Sequence, residues 1–216
     1  MYHFIQAVLF CYAALFPVLN PLGGAVIYLS LTQGIDAKTY KRLALRVAFN
    51  TFILLIVVLF TGTWILRLFG ITVPIVQIGG GLVVAYIGWT MLQNPSDITD
   101  ETPQHYDEKK IKKMAFFPLT MPITAGPGAI TVTLAVAAHE MSADSIVITL
   151  WGHLGAVVGI LLSAFTVYLC YRYAEPLAKK LGETGQQVIM RLSAFINLCI
   201  GLEILWRGIV GLGITA

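Results

Sequence analysis

Six long apolar stretches follow one another along the chain, each at or above the ~20 residues with which a helix crosses a bilayer. They cover residues 4–31, 43–69, 71–93, 115–138, 145–171 and 188–214. The first stretch is longer than the core of a signal peptide and no basic residues precede it, so it is expected to remain as a transmembrane helix. The pattern predicts an all-α membrane protein with six transmembrane helices.

The composition supports a membrane protein. Hydrophobic residues make up 57% of the chain and charged residues 12%, and the mean hydropathy is +0.81. A soluble domain has roughly twice that charged fraction, so most of the exterior is expected to face lipid. The net charge of +3 is too small to indicate nucleic-acid binding. The expected partners are the lipid bilayer and a small solute, with no cofactor and no metal ion.

Basic residues are distributed unequally between the two faces that six helices define. One face carries Lys38, Lys41, Arg42, Arg46, Lys109, Lys110, Lys112, Lys113, Arg172, Lys179, Lys180 and Arg191. The other face carries only Arg67 and Arg207. The positive-inside rule places the basic face in the cytoplasm, so both termini are predicted to be periplasmic in a bacterial inner membrane.

A polar segment, residues 94–114, divides the chain and is predicted to be a cytoplasmic linker between two three-helix halves, residues 1–93 and 115–216. Both halves contain the pattern F-P-x-x-x-P, ending at Pro21 in the first half and at Pro122 in the second, and glycines follow each. Because three helices is an odd number, the two halves enter the membrane from opposite sides. The sequence therefore predicts two inverted repeats.

Helices 1 and 4 are predicted to be discontinuous. A proline inside a helix has no N–H to donate and leaves the carbonyl four residues earlier without a partner. Asn20 before Pro21 is a cap followed by proline at the first helical position, and Gly126 before Pro127 repeats the arrangement with a weaker cap. Each break would begin a half-helix inside the membrane, whose free N–H groups and positive dipole end attract an anionic group. Two kinks that only shape the bundle are the alternative interpretation.

The predicted substrate-binding residues surround these two breaks, with one carboxylate added from helix 6. They are Asn20, Pro21, Gly23, Gly24, Thr124, Gly126, Pro127, Gly128 and Glu203. Glu203 would lie near the membrane midplane, where it would meet a substrate ammonium, carry a proton, or pair only with Arg207 four residues on. His153 is a second candidate for proton relay, although a lone buried histidine often just bonds to a neighbouring helix.

Other small and polar residues within the spans are expected to serve packing. Gly79, Gly80 and Gly81 on helix 3, and Gly155 and Gly159 on helix 5, should allow close helix contacts. Asn50, Gln77 and Asn197 should tie neighbouring helices together by hydrogen bonds.

Three groups of residues together resemble the MarC family of integral membrane proteins over nearly the whole chain. They are Asn20-Pro21-Leu22-Gly23-Gly24, the P-L-x-x-P run from Pro118 with Ala125-Gly126-Pro127-Gly128, and Arg191-Leu192 with Gly201-Leu202-Glu203. The resemblance implies six spans and a place among transporters of neutral amino acids. Several members have an arginine before the small residues of helix 3, where this chain has Gln77.

The leading functional hypothesis is a secondary transporter of small neutral amino acids or similar zwitterions. Proton coupling is one form of this hypothesis. No Walker motif is present, so coupling to ATP hydrolysis by this chain is not expected. A passive channel or a membrane scaffold is the alternative. An enzyme is not expected, because His153 with Glu203 is a thin set for catalysis within the membrane.

Overall fold

The computed structural model describes residues 2–93, 113–141 and 146–213, so the predicted linker lies almost wholly outside the described residues. The described residues form seven α-helices and one irregular segment with wide π-type turns. In chain order they are α1 (Tyr2–Leu19), α2 (Pro21–Leu31), α3 (Ala37–Leu68), α4 (Val73–Gln93), the π segment (Ala115–Thr124), α5 (Pro127–Met141), α6 (Ile146–Arg172) and α7 (Ala174–Gly211).

The helices account for the predicted apolar stretches. Five are long and apolar enough to cross a membrane, and a sixth span is added if the π segment and α5 count as one. α3 begins at Ala37, six residues before the predicted stretch, because Asp36 caps it by accepting hydrogen bonds from backbone N–H groups. Hydrogen bonds from Thr39 hold the pKa of the Asp36 carboxyl below its usual range. The 32 residues of α3 reach ~48 Å, so part of this helix extends beyond a ~30 Å hydrocarbon core.

Glycines bring α4 and α7 into close antiparallel contact. A Cβ on Gly81 would lie 2.5 Å from the Leu205 backbone nitrogen, and one on Gly88 would lie 2.5 Å from that of Leu198. Gly201 on α7 comes closer still to the α4 backbone, because a Cβ there would collide with the Ala85 nitrogen. This contact confirms that small residues on helix 3 form a packing surface.

A second glycine contact joins α1 and α6. A Cβ on Gly155 would lie 2.6 Å from that of Ala7, and one on Gly159 would lie 2.7 Å from that of Cys11. The expected packing role of these two glycines is confirmed, whereas a Cβ on Gly79 of α4 would have no described atom outside its own stretch of helix within 4 Å. Large apolar side chains such as Phe60, Phe165 and Trp206 are left exposed on the outside of the helices, as a lipid-facing surface requires.

Three buried tyrosines form a polar cluster where α3 begins and α6 ends. The Tyr28 hydroxyl donates to the Tyr40 carbonyl at 2.6 Å, and the Tyr40 hydroxyl donates to the Tyr171 carbonyl at 2.9 Å. The rings of Tyr28 and Tyr171 stack with centroids 4.7 Å apart. These contacts join α2, α3 and α6, and they fix the position of α2 directly after the first proline break.

Candidate functional site

The first break is a single residue. Asn20 separates α1 from α2 and is the one non-glycine residue with positive φ in the described part of the chain, at φ 45° and ψ 58°. Its Oδ1 atom accepts the Gly23 N–H at 3.1 Å, and its carbonyl accepts the Gly24 N–H at 2.8 Å. Asparagine tolerates the left-handed conformation because its short side chain bonds locally. The start of α2 is therefore closed by its own cap.

The second break is longer and more irregular. In the π segment Phe117 and Met121 have extended backbone angles, and each precedes a cis proline. Two threonine hydroxyls donate to backbone carbonyls of this segment: Thr120 to Ala115 and Thr124 to Leu119, both at 2.6 Å. The π segment and α5 meet at an angle of 66° across residues 125 and 126.

The start of α5 differs from that of α2 because no side chain caps it. Pro127 occupies its first position, and the first intrahelical bond runs from the Ile130 N–H to the Gly126 carbonyl at 3.2 Å. Within the described residues the N–H groups of Gly128 and Ala129 have no acceptor. Two donors and a positive helix end are therefore available at this point.

The two breaks share a cavity of about 310 Å³, called the break cavity below. Asn20, Gly24, Thr124, Gly126, Pro127 and Gly128 from the predicted site line it. Pro21 and Gly23 do not line it: Pro21 is buried in the protein, and Gly23 faces the Asn20 side chain. No charged side chain is present among the described residues of its wall.

Asn197 of α7 also lines the break cavity, which the sequence analysis did not foresee. Only 8% of this residue is exposed, and its Oδ1 atom has no hydrogen-bond partner within the described residues. The expected hydrogen bond from Asn197 to a neighbouring helix is therefore not formed. Its spacing from Ala194 and Gly201, which both contact α4, was the signal available, because residues three and four apart share a helix face.

Glu203 lies in a different cavity from the breaks. This second cavity, called the Glu203 cavity, has a volume of about 540 Å³ and is also lined by Gln77, His139 and Arg207. The Arg207 Nε atom donates to Glu203 Oε1 at 2.8 Å, and both side chains are more than half exposed. The ion pair four residues apart is thus present, and the structure does not bring Glu203 together with the predicted half-helix ends.

A thin apolar layer separates the two cavities. Val18 lines both, and a Cβ added to Gly128 would collide with the Val84 side chain and would lie 3.0 Å from Val18 Cγ1. The break cavity extends along the second half of α4 to Thr90 and Met91, whereas the Glu203 cavity adjoins Gln77 in its first half. The cavities therefore lie at opposite ends of the helix bundle.

His153 lines neither of these two cavities. Its Nδ1 atom lies 2.9 Å from the Thr149 carbonyl, and its ring stacks on Phe60 at 6.0 Å between centroids. These contacts are those of a histidine bonded within its own helix and packed against α3.

Tyr171 connects the two breaks beneath the break cavity. Its hydroxyl lies 2.7 Å from Thr124 Oγ1, and since Thr124 donates to Leu119, Tyr171 is the donor of this pair. A Cβ on Gly24 would lie 2.5 Å from the same hydroxyl oxygen. A completely buried side chain thus touches α2 and the π segment at once.

Long apolar helices with lipid-facing side chains around interrupted segments define a multi-pass integral membrane protein. Residues 3–212 match the family described as MarC family integral membrane protein, and the chain belongs to that family. A membrane protein of Buchnera aphidicola subsp. Schizaphis graminum is 31% identical over 92% of this chain and 89% of its own.

Two further relatives match a similar share of the chain. The membrane protein YvbG of Bacillus subtilis is 30% identical over 98% of this chain and 97% of its own. The inner membrane protein MarC of Salmonella arizonae is 28% identical over 91% of this chain and 90% of its own. No solved structure matches the chain. The protein is a multi-pass inner-membrane protein, as its relatives and its apolar helices agree.

Proposed function

We propose that this protein is a secondary transporter of small neutral amino acids or similar zwitterions, and that the break cavity is its substrate site. The observation that carries the proposal is a small cavity with unused hydrogen-bonding groups and no charged side chain among its described residues. Moving a solute of net charge into such a cavity would be costly, because no opposite charge compensates the loss of water. A zwitterion has no net charge and carries both a donor and an acceptor group.

The start of α5 suits the carboxylate of such a substrate. The N–H groups of Gly128 and Ala129, which have no acceptor among the described residues, lie at the first turn of α5. This end of the helix carries positive partial charge. At the start of α2 the corresponding N–H of Gly23 is occupied by Asn20. We therefore assign the carboxylate to α5, and we assign a shaping role to α2 and its cap.

The helix pairings support the predicted inverted repeat. α4 and α7, the last helices of the two halves, pack against each other in antiparallel fashion. α1 packs on α6, while the π segment and α5 pack on α3, which are equivalent contacts when the halves are exchanged. Discontinuous helices at the interface of inverted repeats are the usual place for a transporter's substrate site.

The layer at Val18, Gly128 and Val84 supports transport over a passive channel. Two cavities at opposite ends of the bundle, separated by one layer of side chains, are what alternating access to a single site requires. With both termini periplasmic, the break cavity would be the one nearer the cytoplasm. Glu203 in the opposite cavity is the group we propose for proton coupling. An intramembrane enzyme is not supported, since His153 lines neither cavity.

Reconstitution into proteoliposomes tests this function. Saturable uptake of labelled glycine, alanine and serine is expected, with little uptake of glutamate or lysine, and a pH gradient should drive accumulation. Empty liposomes provide the control. Flux that does not saturate, or a preference for the charged amino acids, would contradict the proposal.

A further inference from the structure

The side-chain amide of Asn197 is the one feature of the break cavity that its proposed use for a carboxylate does not explain. Only 8% of Asn197 is exposed, and its Oδ1 atom lacks a hydrogen-bond partner in the described part of the chain. Leaving a buried acceptor without a partner costs free energy that an apolar residue of similar shape would avoid. An asparagine kept at such a place is expected to have a partner that binds from outside the chain.

The described residues around Asn197 do not provide that partner. On the same face of α7, Gly201 packs directly against the α4 backbone at Ala85. α4 contributes the apolar Val84 and Ile87 to the wall of the break cavity, and its Thr90 hydroxyl already donates to the Ile87 carbonyl at 2.9 Å. The Oδ1 atom itself has almost no accessible surface in the structure. Rotation about the Cβ–Cγ bond exchanges the amide oxygen and nitrogen, and a donor bound in the cavity requires the rotamer in which the oxygen faces it.

We infer that the Asn197 amide oxygen accepts a hydrogen bond from the ammonium group of the substrate and makes the protein selective for ligands that keep an N–H on that nitrogen. This inference rests on the proposed function. The donors in the cavity are supplied by Gly128 and Ala129, so an acceptor is the group still missing for a zwitterion. A quaternary ammonium ligand of the same net charge has no N–H and should be rejected.

Glycine and glycine betaine provide the test, because they share a carboxylate and differ in whether the nitrogen carries N–H. Their affinities are measured on the detergent-solubilised full chain, for the wild type and for Asn197→Leu, which keeps a similar volume. The wild type should prefer glycine by about tenfold or more. Asn197→Leu should lose this preference through weaker glycine binding. A preference due to size alone would persist in the variant.

Thr51→Val is the matched control, since it also replaces a buried polar side chain whose oxygen has no partner among the described residues, and it lies outside both cavities. It should keep the wild-type preference. A second readout is the melting temperature without ligand, which should be unchanged or higher in Asn197→Leu because no bond within the protein is lost.

The failures are distinguishable. If the wild type binds glycine and Asn197→Leu keeps the same preference, or if Asn197→Leu melts several degrees below the wild type, the role of Asn197 is overturned and the transporter proposal stands. If the wild type binds neither probe, the proposed function is overturned, and the inference about Asn197 falls with it.

Discussion

The two proline breaks occupy matching places in the sequence but solve the loss of backbone hydrogen bonds in different ways. At the first break one residue, Asn20, satisfies the start of α2 through its side chain and carbonyl. At the second, threonine hydroxyls satisfy carbonyls of the π segment, while the N–H groups of Gly128 and Ala129 have no acceptor in the part of the chain that the structure describes. The difference is the basis of our proposal that the first break shapes the cavity and the second supplies donors to a substrate.

The largest expected effect is at the second break. Gly128→Ala places a methyl group against Val84 and Val18, in the first turn of α5. Because this would displace the substrate carboxylate from the α5 N–H groups, glycine uptake should fall at least about tenfold. Gly79→Ala is the matched control, because a Cβ there would have no described atom outside its own stretch of helix within 4 Å. Uptake is measured in proteoliposomes at equal protein content. Normal uptake by Gly128→Ala would contradict the proposal that the substrate carboxylate binds at the start of α5.

Gly126 is less suitable for this test. A Cβ there would lie 2.7 Å from the Pro122 carbonyl oxygen, so a side chain would shift the backbone of the π segment as well as fill the cavity.

A smaller effect is expected at the first break, mainly on stability. Asn20→Ala removes the cap and puts alanine in the left-handed region, which together should lower the unfolding free energy by ~2 kcal/mol. Asn20→Gly also removes the cap but tolerates the backbone conformation, so its cost should be a few tenths of a kcal/mol. Denaturant unfolding in detergent measures both. Equal losses for the two variants would show that the left-handed conformation does not matter.

The connection between the breaks should contribute less again. Tyr171→Phe removes the donor to Thr124 and should cost ~1 kcal/mol of stability, with a few-fold loss of glycine affinity because the Thr124 wall is less firmly held. Tyr12→Phe is the control: it removes a hydroxyl 3.2 Å from Thr166 Oγ1, away from both cavities. Equal glycine affinity in Tyr171→Phe and Tyr12→Phe would show that the Tyr171 hydroxyl does not support the substrate site.

The smallest effect on binding is expected at Glu203. Glu203→Gln should leave glycine affinity unchanged, because Glu203 lies outside the break cavity. It should nevertheless abolish accumulation driven by a pH gradient while exchange of labelled for unlabelled glycine continues. Accumulation equal to that of the wild type would leave Glu203 only its ion pair with Arg207.

Much of the fold could be predicted from the sequence because apolar length and proline position act locally. The prolines indicated where α2 and α5 begin, and the glycines of α4 and α6 indicated close packing. The start of α3 was less predictable: the apolar window begins at residue 43, but the helix begins at Ala37, next to its cap Asp36, and includes charged residues before that window.

The composition of the site was harder to predict, since depth in the membrane does not determine which way a side chain points. Glu203 was predicted to lie close to the two breaks, and this prediction used only its distance along the helix. Glu203 and Asn197 are six residues apart on α7, so at ~100° per residue they point to different sides. Asn197 points to the break cavity, and Glu203 does not. Only the packing of α7 on α4 determines which of the two reaches that cavity.

Thiol protection tests most directly whether a small zwitterion occupies the break cavity. Thr90 lines this cavity, whereas the native Cys199 is exposed and lines neither cavity, so it serves as the internal control in the same molecule. Labelling of Thr90→Cys by N-ethylmaleimide, followed residue by residue with mass spectrometry, should slow several-fold in saturating glycine, while labelling of Cys199 stays constant. Equal labelling of Thr90→Cys with and without glycine would contradict a substrate site at the two breaks.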